Sequence, residues 1–288
     1  MKTRYSFLIL LLAVTLASSA QEPRFKISLA EWSLNKSLFK KTITNMDFPR
    51  IAKETYGLDA VEYVNQFFKD KAEDTQYLTQ LKNECEKYGV KSLIIMVDGE
   101  GNLADTSATA RNKAVENHYK WVKAAKFLGC HSIRVNAAGR GTMGQMQAAA
   151  IDGLTKLSTY AADYGINVIV ENHGSNSSYG KWLAEIMKSV NKPNCGTLPD
   201  LGNFYEYDRY KGVTELMPYA KGVSAKTHDF DANGNETQID YEKMMKIIAD
   251  SGFKGYIDVE YEGTKLNEDE GIKATIALLK RVMEPYNK

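Results

Sequence analysis

The stretch YGINVIVE, residues 164–171, contains the features that decide the fold. It begins at the end of an amphipathic segment, residues 145–164, which has the apolar spacing of a helix. Gly165 follows, at the position where helices commonly end in a left-handed residue. A β-branched apolar run then predicts a strand, and Glu171 stands at its end. The stretch therefore predicts the connection between a helix and the next strand of a β/α unit.

The same connection recurs along the chain. A glycine lies between a helical segment and a strand at Gly89, Gly129, Gly165 and Gly252. The clearest helical segments are residues 106–128, 145–164 and 241–251. Eight strand candidates are residues 26–31, 60–64, 92–97, 132–136, 167–171, 196–200, 222–228 and 256–260. This alternation predicts βαβ units and a parallel sheet.

The number of units and the length favour a closed barrel. No proline-rich linker, low-complexity tract or change of composition divides the 288 residues, so we expect one domain over residues 21–288. A closed α/β barrel of about 250 residues is a usual single-domain solution at this size. The predicted fold class is α/β, a single (β/α)8 TIM barrel, in preference to an open doubly wound sheet.

The first residues have the features of a secretory signal peptide. Lys2 and Arg4 precede the run 7–17, which is apolar except for Thr15, and small residues then lead to Ala20. The alternative is a membrane anchor, but the run is shorter than the roughly 20 residues that span a bilayer. We therefore predict a signal peptide over residues 1–20, export to the periplasm, and no membrane attachment after cleavage.

The composition excludes several classes of partner. The chain is 43% hydrophobic and 25% charged with a net charge of +1, as in ordinary globular proteins. This balance does not favour nucleic acid or an anionic membrane as a partner, and the sequence assigns no oligomeric state. The cysteines Cys85, Cys130 and Cys195 are far apart and odd in number, so we interpret them as buried apolar residues.

Each of the last four predicted strands ends in a side chain that can bind a metal ion. These are Glu171, Asp200, His228 and Glu260, spaced by about one βα unit of roughly 30 residues. Active sites of parallel barrels form at the carboxyl ends of the strands, so the four can converge. Singly, each carboxylate is more simply a cap or a salt-bridge partner. Together they predict a site for one divalent ion, with Mn²⁺, Mg²⁺, Co²⁺ and Zn²⁺ all open.

The sequence around these four positions resembles the xylose-isomerase-like barrel superfamily, which includes sugar isomerases, sugar epimerases and type IV AP endonucleases. The resemblance is carried by VENH at 170–173, DLGN at 200–203, KTHD at 226–229 and DVE at 258–260. It implies that Glu171, Asp200, His228 and Glu260 hold the metal. It also implies that Glu171 and Glu260 are the catalytic acid and base on opposite faces of a bound sugar.

Weaker candidates follow from the alternation of side chains along a strand. His173 and Lys226 share a face with Glu171 and His228, respectively, and are candidates for substrate contact. Asp258 is interpreted as a buried partner of Lys226, and Asn203 as a group that orients Asp200. Further candidates near strand ends are Trp32, Glu62 and Arg134.

The leading hypothesis is a metal-dependent sugar isomerase or epimerase that transfers a proton at a carbon beside a carbonyl. Predicted export and the lack of a glycine-rich phosphate loop favour a non-phosphorylated sugar or glycoside as its small-molecule partner. One alternative is a lyase for 3-keto-glycosides with the same site. A second is a non-catalytic exported sugar-binding barrel. A nuclease is disfavoured, because the chain has few histidines and no positive charge excess.

Overall fold

The computed structural model describes residues 22–288. The predicted signal peptide over residues 1–20 lies outside this range, so the leader and the export that it implies stay predictions. Within the described range, no helix is both long enough and apolar enough to cross a membrane.

Eight parallel strands form one sheet. They are β1 Phe25–Ala30, β2 Ala60–Val64, β3 Lys91–Met96, β4 Ser132–Val135, β5 Asn167–Glu171, β6 Cys195–Leu198, β7 Val223–Thr227 and β8 Gly255–Tyr261. The order across the sheet is β6-β5-β4-β3-β2-β1-β8-β7. Two isolated parallel bridges, Thr197 to Ala220 and Asp200 to Ser224, link its two edges. The predicted (β/α)8 barrel is confirmed, with β6 joined to β7 less regularly than the other pairs.

Helices connect the strands on the outside of the sheet. They are α1 Asn35–Phe39, α2 Phe48–Glu54, α3 Thr75–Tyr88, α4 Ala108–Leu128, α5 Met143–Ala162, α6 Gly180–Val190, α7 Arg209–Leu216, α8 Tyr241–Asp250 and α9 Glu268–Met283. The first unit has two short helices, and each later unit has one. All four predicted helix-stop glycines have positive φ. At the start of α5, the Thr142 side chain and the Gln145 side chain form a reciprocal capping box.

The strands separate two apolar layers, because successive side chains point to opposite faces. On β5, Val168 and Val170 pack toward the helices, whereas Ile169 lies inside the barrel. The interior cluster comprises Ala30, Ala60, Val64, Leu93, Ile94, Met96, Ile169 and Leu198. Two residues beyond Ile169, Glu171 therefore faces the interior as well. The carboxyl end of the barrel thus places polar groups above an apolar floor.

The cysteines agree with the sequence-based interpretation. Cys85, Cys130 and Cys195 are free and buried. Burial raises the pKa of the Cys195 thiol to about 11, which keeps it protonated at neutral pH.

Replacement of Gly129 tests the helix stops. Gly129 has φ +83° at the end of α4, and a Cβ added there would meet no atom within 4 Å. Gly129→Ala should therefore destabilise the fold by about 1 kcal/mol through backbone strain alone. Urea unfolding measures this. The matched control is Gly144→Ala in the first turn of α5, where the space is also open and φ is not positive. Equal effects of the two substitutions would contradict the explanation.

Candidate active site

Three buried carboxylates converge at the carboxyl end of the barrel. Glu171 ends β5, Asp200 follows β6, and Glu260 lies on β8. One oxygen of each lies within 4.8 Å of the others, and the residues are 2%, 0% and 5% exposed. Among residues 22–288, this is the group of His, Cys, Asp and Glu side chains that can hold a metal ion. Carboxyl groups this close and this buried can be ionised together only beside a cation.

The ammonium of Lys226 lies in this cluster. Its Nζ is 3.0 Å from Asp200 Oδ2, 3.5 Å from Glu260 Oε1 and 3.4 Å from Glu262 Oε1. The lysine is 3% exposed. Burial acts to lower its pKa, but the carboxylates of Asp200, Glu260 and Glu171 outweigh burial and raise the pKa well above its usual value. The protonated, positively charged form of Lys226 is therefore favoured in the site.

Amide side chains fix the positions of the carboxylates. Asn203 Nδ2 donates to Glu171 Oε1 at 3.1 Å and to Asp200 Oδ2 at 3.0 Å, as expected for a group that orients Asp200. The Asn172 side chain makes two hydrogen bonds to the backbone of Asp200. Its Oδ1 accepts from the Asp200 N–H, and its Nδ2 donates to the Asp200 carbonyl. The Ser224 hydroxyl donates to Glu260 Oε2 at 2.7 Å. These bonds fix the orientation of each carboxyl group.

Arg134 on β4 provides a second cation. Its Nε lies 2.9 Å from Glu171 Oε2, although out of line for a hydrogen bond, and its Nη1 donates to Asp98 Oδ1 at 2.7 Å. Burial acts to raise the pKa of Asp98, but Arg134 and Asn136 lower it to about 2. The predicted candidate Arg134 thus contacts the cluster through Glu171 rather than from the mouth of the site.

Glu62 and Asp258 form a carboxyl pair below the cluster. Each has one buried oxygen without a hydrogen-bond partner, and the charge of Glu62 raises the pKa of Asp258. Two neighbouring carboxyl groups can hydrogen-bond to each other only if one carries a proton. Burial raises the pKa of Glu62 to about 7 and that of Asp258 well above its usual value. The interpretation of Asp258 as the partner of Lys226 is wrong, because Asp258 contacts Ser224 and Glu62 instead.

His228 is not part of the cluster. β7 ends at Thr227, and the ring nitrogens of His228 are not among the ligand atoms that converge with those of Glu171, Asp200 and Glu260. The backbone N–H of His228 donates to Glu236 Oε1 at 3.4 Å, and its buried Nδ1 has no partner. The structure thus gives no support to His228 as the fourth metal ligand, and Lys226 lies where that ligand was expected.

The residues present do not fit a divalent ion while Lys226 is in this position. Three converging carboxylates have the ligand type and spacing that such an ion requires. A protonated amine, however, has no lone pair to offer a metal. Its positive charge, 3.0 Å from Asp200, also repels a second cation in the same space.

The remaining predicted candidates lie at the mouth. His173 is exposed and lies two residues after Glu171, just beyond the carboxyl end of β5. Trp32 follows β1 and is half-buried, with its ring 6.2 Å from that of Phe67 and 6.0 Å from that of Phe39. Phe39 is 58% exposed. The mouth therefore has an aromatic wall on the side of β1 and β2.

Sequence reasoning missed three residues of the site. Asp98 follows β3 and Asn172 follows Glu171, and nothing in the sequence distinguishes them from ordinary turn residues. Glu262 was detectable, since it lies two residues after Glu260 and strand alternation places both on one face.

The fold and this pocket define a class: a (β/α)8 barrel with its buried acids and a cation at the carboxyl end, where barrel enzymes hold their active sites. A model of the xylose isomerase-like TIM barrel family matches residues 49–282. The chain belongs to this family.

Solved structures share the fold. The IOLI protein with a zinc atom superposes with a TM-score of 0.73 at 17% identity, covering 91% of this chain and 99% of the other. A 3-keto-D-glucoside 4-epimerase from E. coli gives a TM-score of 0.65 at 13% identity, covering 90% of this chain and 100% of the other.

A curated relative matches locally. The C-glycoside deglycosidase alpha subunit of Arthrobacter globiformis is 33% identical over 76 residues, 24% of this chain and 22% of its own length. The chain spans less than a quarter of the length of the curated relatives that it matches.

The carboxyl pair makes stability depend on pH. Because Glu62 has a pKa of about 7 instead of 4.5, the folded chain keeps a proton that the unfolded chain releases above about pH 4.5. The free energy of unfolding should therefore fall as pH rises from about 4.5 to 7, by up to about 1.4 kcal/mol per unit for this group.

Glu62→Gln should remove most of this dependence of the free energy of unfolding on pH, because the variant lacks the group that keeps the proton. Urea unfolding at several pH values measures the change. Glu116→Gln, at an exposed position on α4, is the control and should leave the slope unchanged. An unchanged slope in Glu62→Gln would show that Glu62 is ionised throughout this range.

Proposed function

We propose that this chain is a sugar isomerase or epimerase that transfers a proton at a carbon beside the carbonyl of a non-phosphorylated sugar or glycoside. The observation that carries the proposal is the position of Glu171 and Glu260. They come from non-adjacent strands, one oxygen of each lies within 4.8 Å of the other, and each is paired with a buried cation, Glu171 with Arg134 and Glu260 with Lys226. Two carboxyl groups around a bound substrate can act as base and acid in one reaction.

The environments of the two glutamates fit complementary roles. Burial raises the pKa of Glu171, but Arg134, His173 and Lys226 outweigh burial, so its pKa is lowered and it is ionised. Burial raises the pKa of Glu260, against the opposing effect of Lys226, so Glu260 holds a proton more readily. Glu171 is therefore assigned as the base that removes the proton, and Glu260 as the acid that returns one.

Removal of a proton beside a carbonyl leaves an enediolate whose negative charge must be stabilised. A cation close to both glutamates supplies that stabilisation. The predicted dependence on a divalent metal is not part of this proposal, because the cluster already contains an ammonium. The predicted export of the chain supports sugars without phosphate as substrates.

Related proteins support the substrate class. The similar structures include a 3-keto-D-glucoside 4-epimerase, and the curated relative is a C-glycoside deglycosidase subunit. Both names point to sugars or glycosides, and a keto-sugar allows proton removal beside its carbonyl.

A lyase for 3-keto-glycosides is the second candidate. It uses the same first step, removal of the C2 proton by a glutamate, after which the substituent at C1 leaves. The aromatic wall of Trp32, Phe39 and Phe67 favours it, because an apolar surface at the mouth can contact an aromatic aglycone. The local match to a deglycosidase subunit supports the same candidate.

The glutamate assignment predicts loss of proton exchange. Glu171→Gln and Glu260→Gln should each lower the rate of solvent deuterium incorporation into a keto-sugar by about 10²–10⁴-fold, since each removes one proton-transfer group. NMR in D2O measures the rate. Glu116→Gln keeps the same chemical change at an exposed site and should retain the wild-type rate. If both active-site variants still bound sugar and the wild type converted none, a sugar-binding role would replace the proposal.

The products separate the two candidate reactions. Incubation with an aryl 3-keto-glycoside should give deuterium at C2 of the intact glycoside if the chain is an epimerase. Release of the phenol at the rate of C2 proton removal would instead support the lyase. Chromatography of the aglycone together with NMR of the sugar measures both outcomes in one reaction.

A further inference from the structure

We propose that the ammonium of Lys226 is the electrophile of this site and takes the place of a divalent metal ion. The inference rests on the proposed proton-transfer function. It assigns Lys226 a catalytic role, because its Nζ contacts the oxygen on which negative charge develops.

The position of Lys226 is fixed by the sheet. Lys226 on β7 pairs in register with Glu260 on β8, so the two side chains enter the interior at the same level. Neighbouring Val223 and Ala225 pack outward against the helices, which leaves Ser224 and Lys226 inside. The Nζ then reaches Asp200 at 3.0 Å and Glu260 at 3.5 Å. These are two of the three acids that otherwise form a metal site.

The lysine is confined rather than free to leave. A Cβ on Gly202 would lie 3.0–3.1 Å from the Cβ, Cγ and Cδ of Lys226, so the backbone at Gly202 packs directly on the stem. The Tyr241 hydroxyl donates to the Lys226 carbonyl at 2.7 Å and fixes the strand behind it. Asn203 Oδ1 accepts from Nζ at 3.3 Å. A divalent ion would have to displace this packed side chain from a buried position.

The ammonium also balances the charge that a metal would balance. Glu171 is paired with Arg134 at 2.9 Å, and Lys226 is shared between Asp200 and Glu260. A fixed charge in a water-poor site stabilises a developing oxyanion strongly, because nothing must reorganise during the reaction. The third close acid, Glu262, is 30% exposed at 3.4 Å, so a substrate oxygen can replace it at the ammonium.

The chemical sequence balances without a further reagent. The carboxylate of Glu171 removes the proton from the carbon beside the carbonyl. The electron pair of the broken C–H bond forms a C=C bond, and the carbonyl oxygen becomes an oxyanion next to Lys226 Nζ. The oxyanion then re-forms the carbonyl as the carbon takes a proton from Glu260 on the other face. Epimerisation results, Lys226 keeps its charge throughout, and exchange of protons with water then returns Glu171 to the carboxylate and Glu260 to the acid.

Metal analysis of the active protein tests the inference independently of turnover. The purified wild type, incubated with excess Mn²⁺ or Zn²⁺ and then desalted, should contain far less than one metal ion per chain by mass spectrometry. Its deuterium exchange should be unaffected by EDTA. One retained ion per chain together with EDTA-sensitive exchange would overturn the inference, while leaving the proton-transfer function intact.

Two substitutions at Lys226 sharpen the test. Lys226→Met keeps the length of the side chain without its charge and should lower the exchange rate by about 10²–10³-fold, without gain on addition of metal. Lys226→His places a neutral imidazole beside the three acids and should gain stoichiometric Zn²⁺ binding by calorimetry.

A rate of deuterium exchange in Lys226→Met equal to that of the wild type would overturn the role of the ammonium. If Lys226→His fails to fold, the metal content of the wild type and the deuterium exchange rate of Lys226→Met still decide whether the ammonium replaces a metal ion. If Glu171→Gln and Glu260→Gln both kept the wild-type rate of deuterium exchange, the proposed function itself would be overturned.

Discussion

The pairing of Lys226 with Asp200 and Glu260 is the interaction on which the rest of the site depends. Three acids within 4.8 Å of one another, above an apolar barrel floor, would repel each other without a cation between them. Positive charge comes from the ammonium and from the Arg134 guanidinium, which is paired with Glu171. The Asn203 amide adds a hydrogen bond to Glu171. Removing one member would leave buried charge uncompensated, which is far more costly than losing a surface ion pair.

Much of the fold was predictable because it rests on local rules. Apolar runs that alternate with amphipathic segments gave the strands, and Gly129 and Gly165 were recognisable as helix ends because few other residues tolerate positive φ. Glu171, Asp200 and Glu260 could be selected because each follows an apolar strand. The choice between Lys226 and His228 could not be made from the sequence. It depends on the path of the backbone just beyond Thr227, where β7 ends, and strand boundaries are the least reliable part of a sequence-based prediction.

Interactions between distant strands were beyond sequence reasoning. The carboxyl pair of Glu62 and Asp258 joins β2 to β8, and a carboxyl group gives no sign in the sequence that another acid is its partner. The same holds for Asn172, which brackets Asp200 from the next strand. Family membership likewise defines the barrel and the general chemistry, whereas the individual side chains at the strand ends determine which cation serves that chemistry.

The central claim concerns that cation, and crystals grown with Mn²⁺ and a keto-sugar test it most directly. Anomalous scattering locates manganese without reference to any mechanism. The account predicts no anomalous peak among the three acids, with Lys226 Nζ within hydrogen-bonding distance of the sugar carbonyl oxygen. A peak coordinated by Glu171, Asp200 and Glu260, with Lys226 turned away, would contradict it.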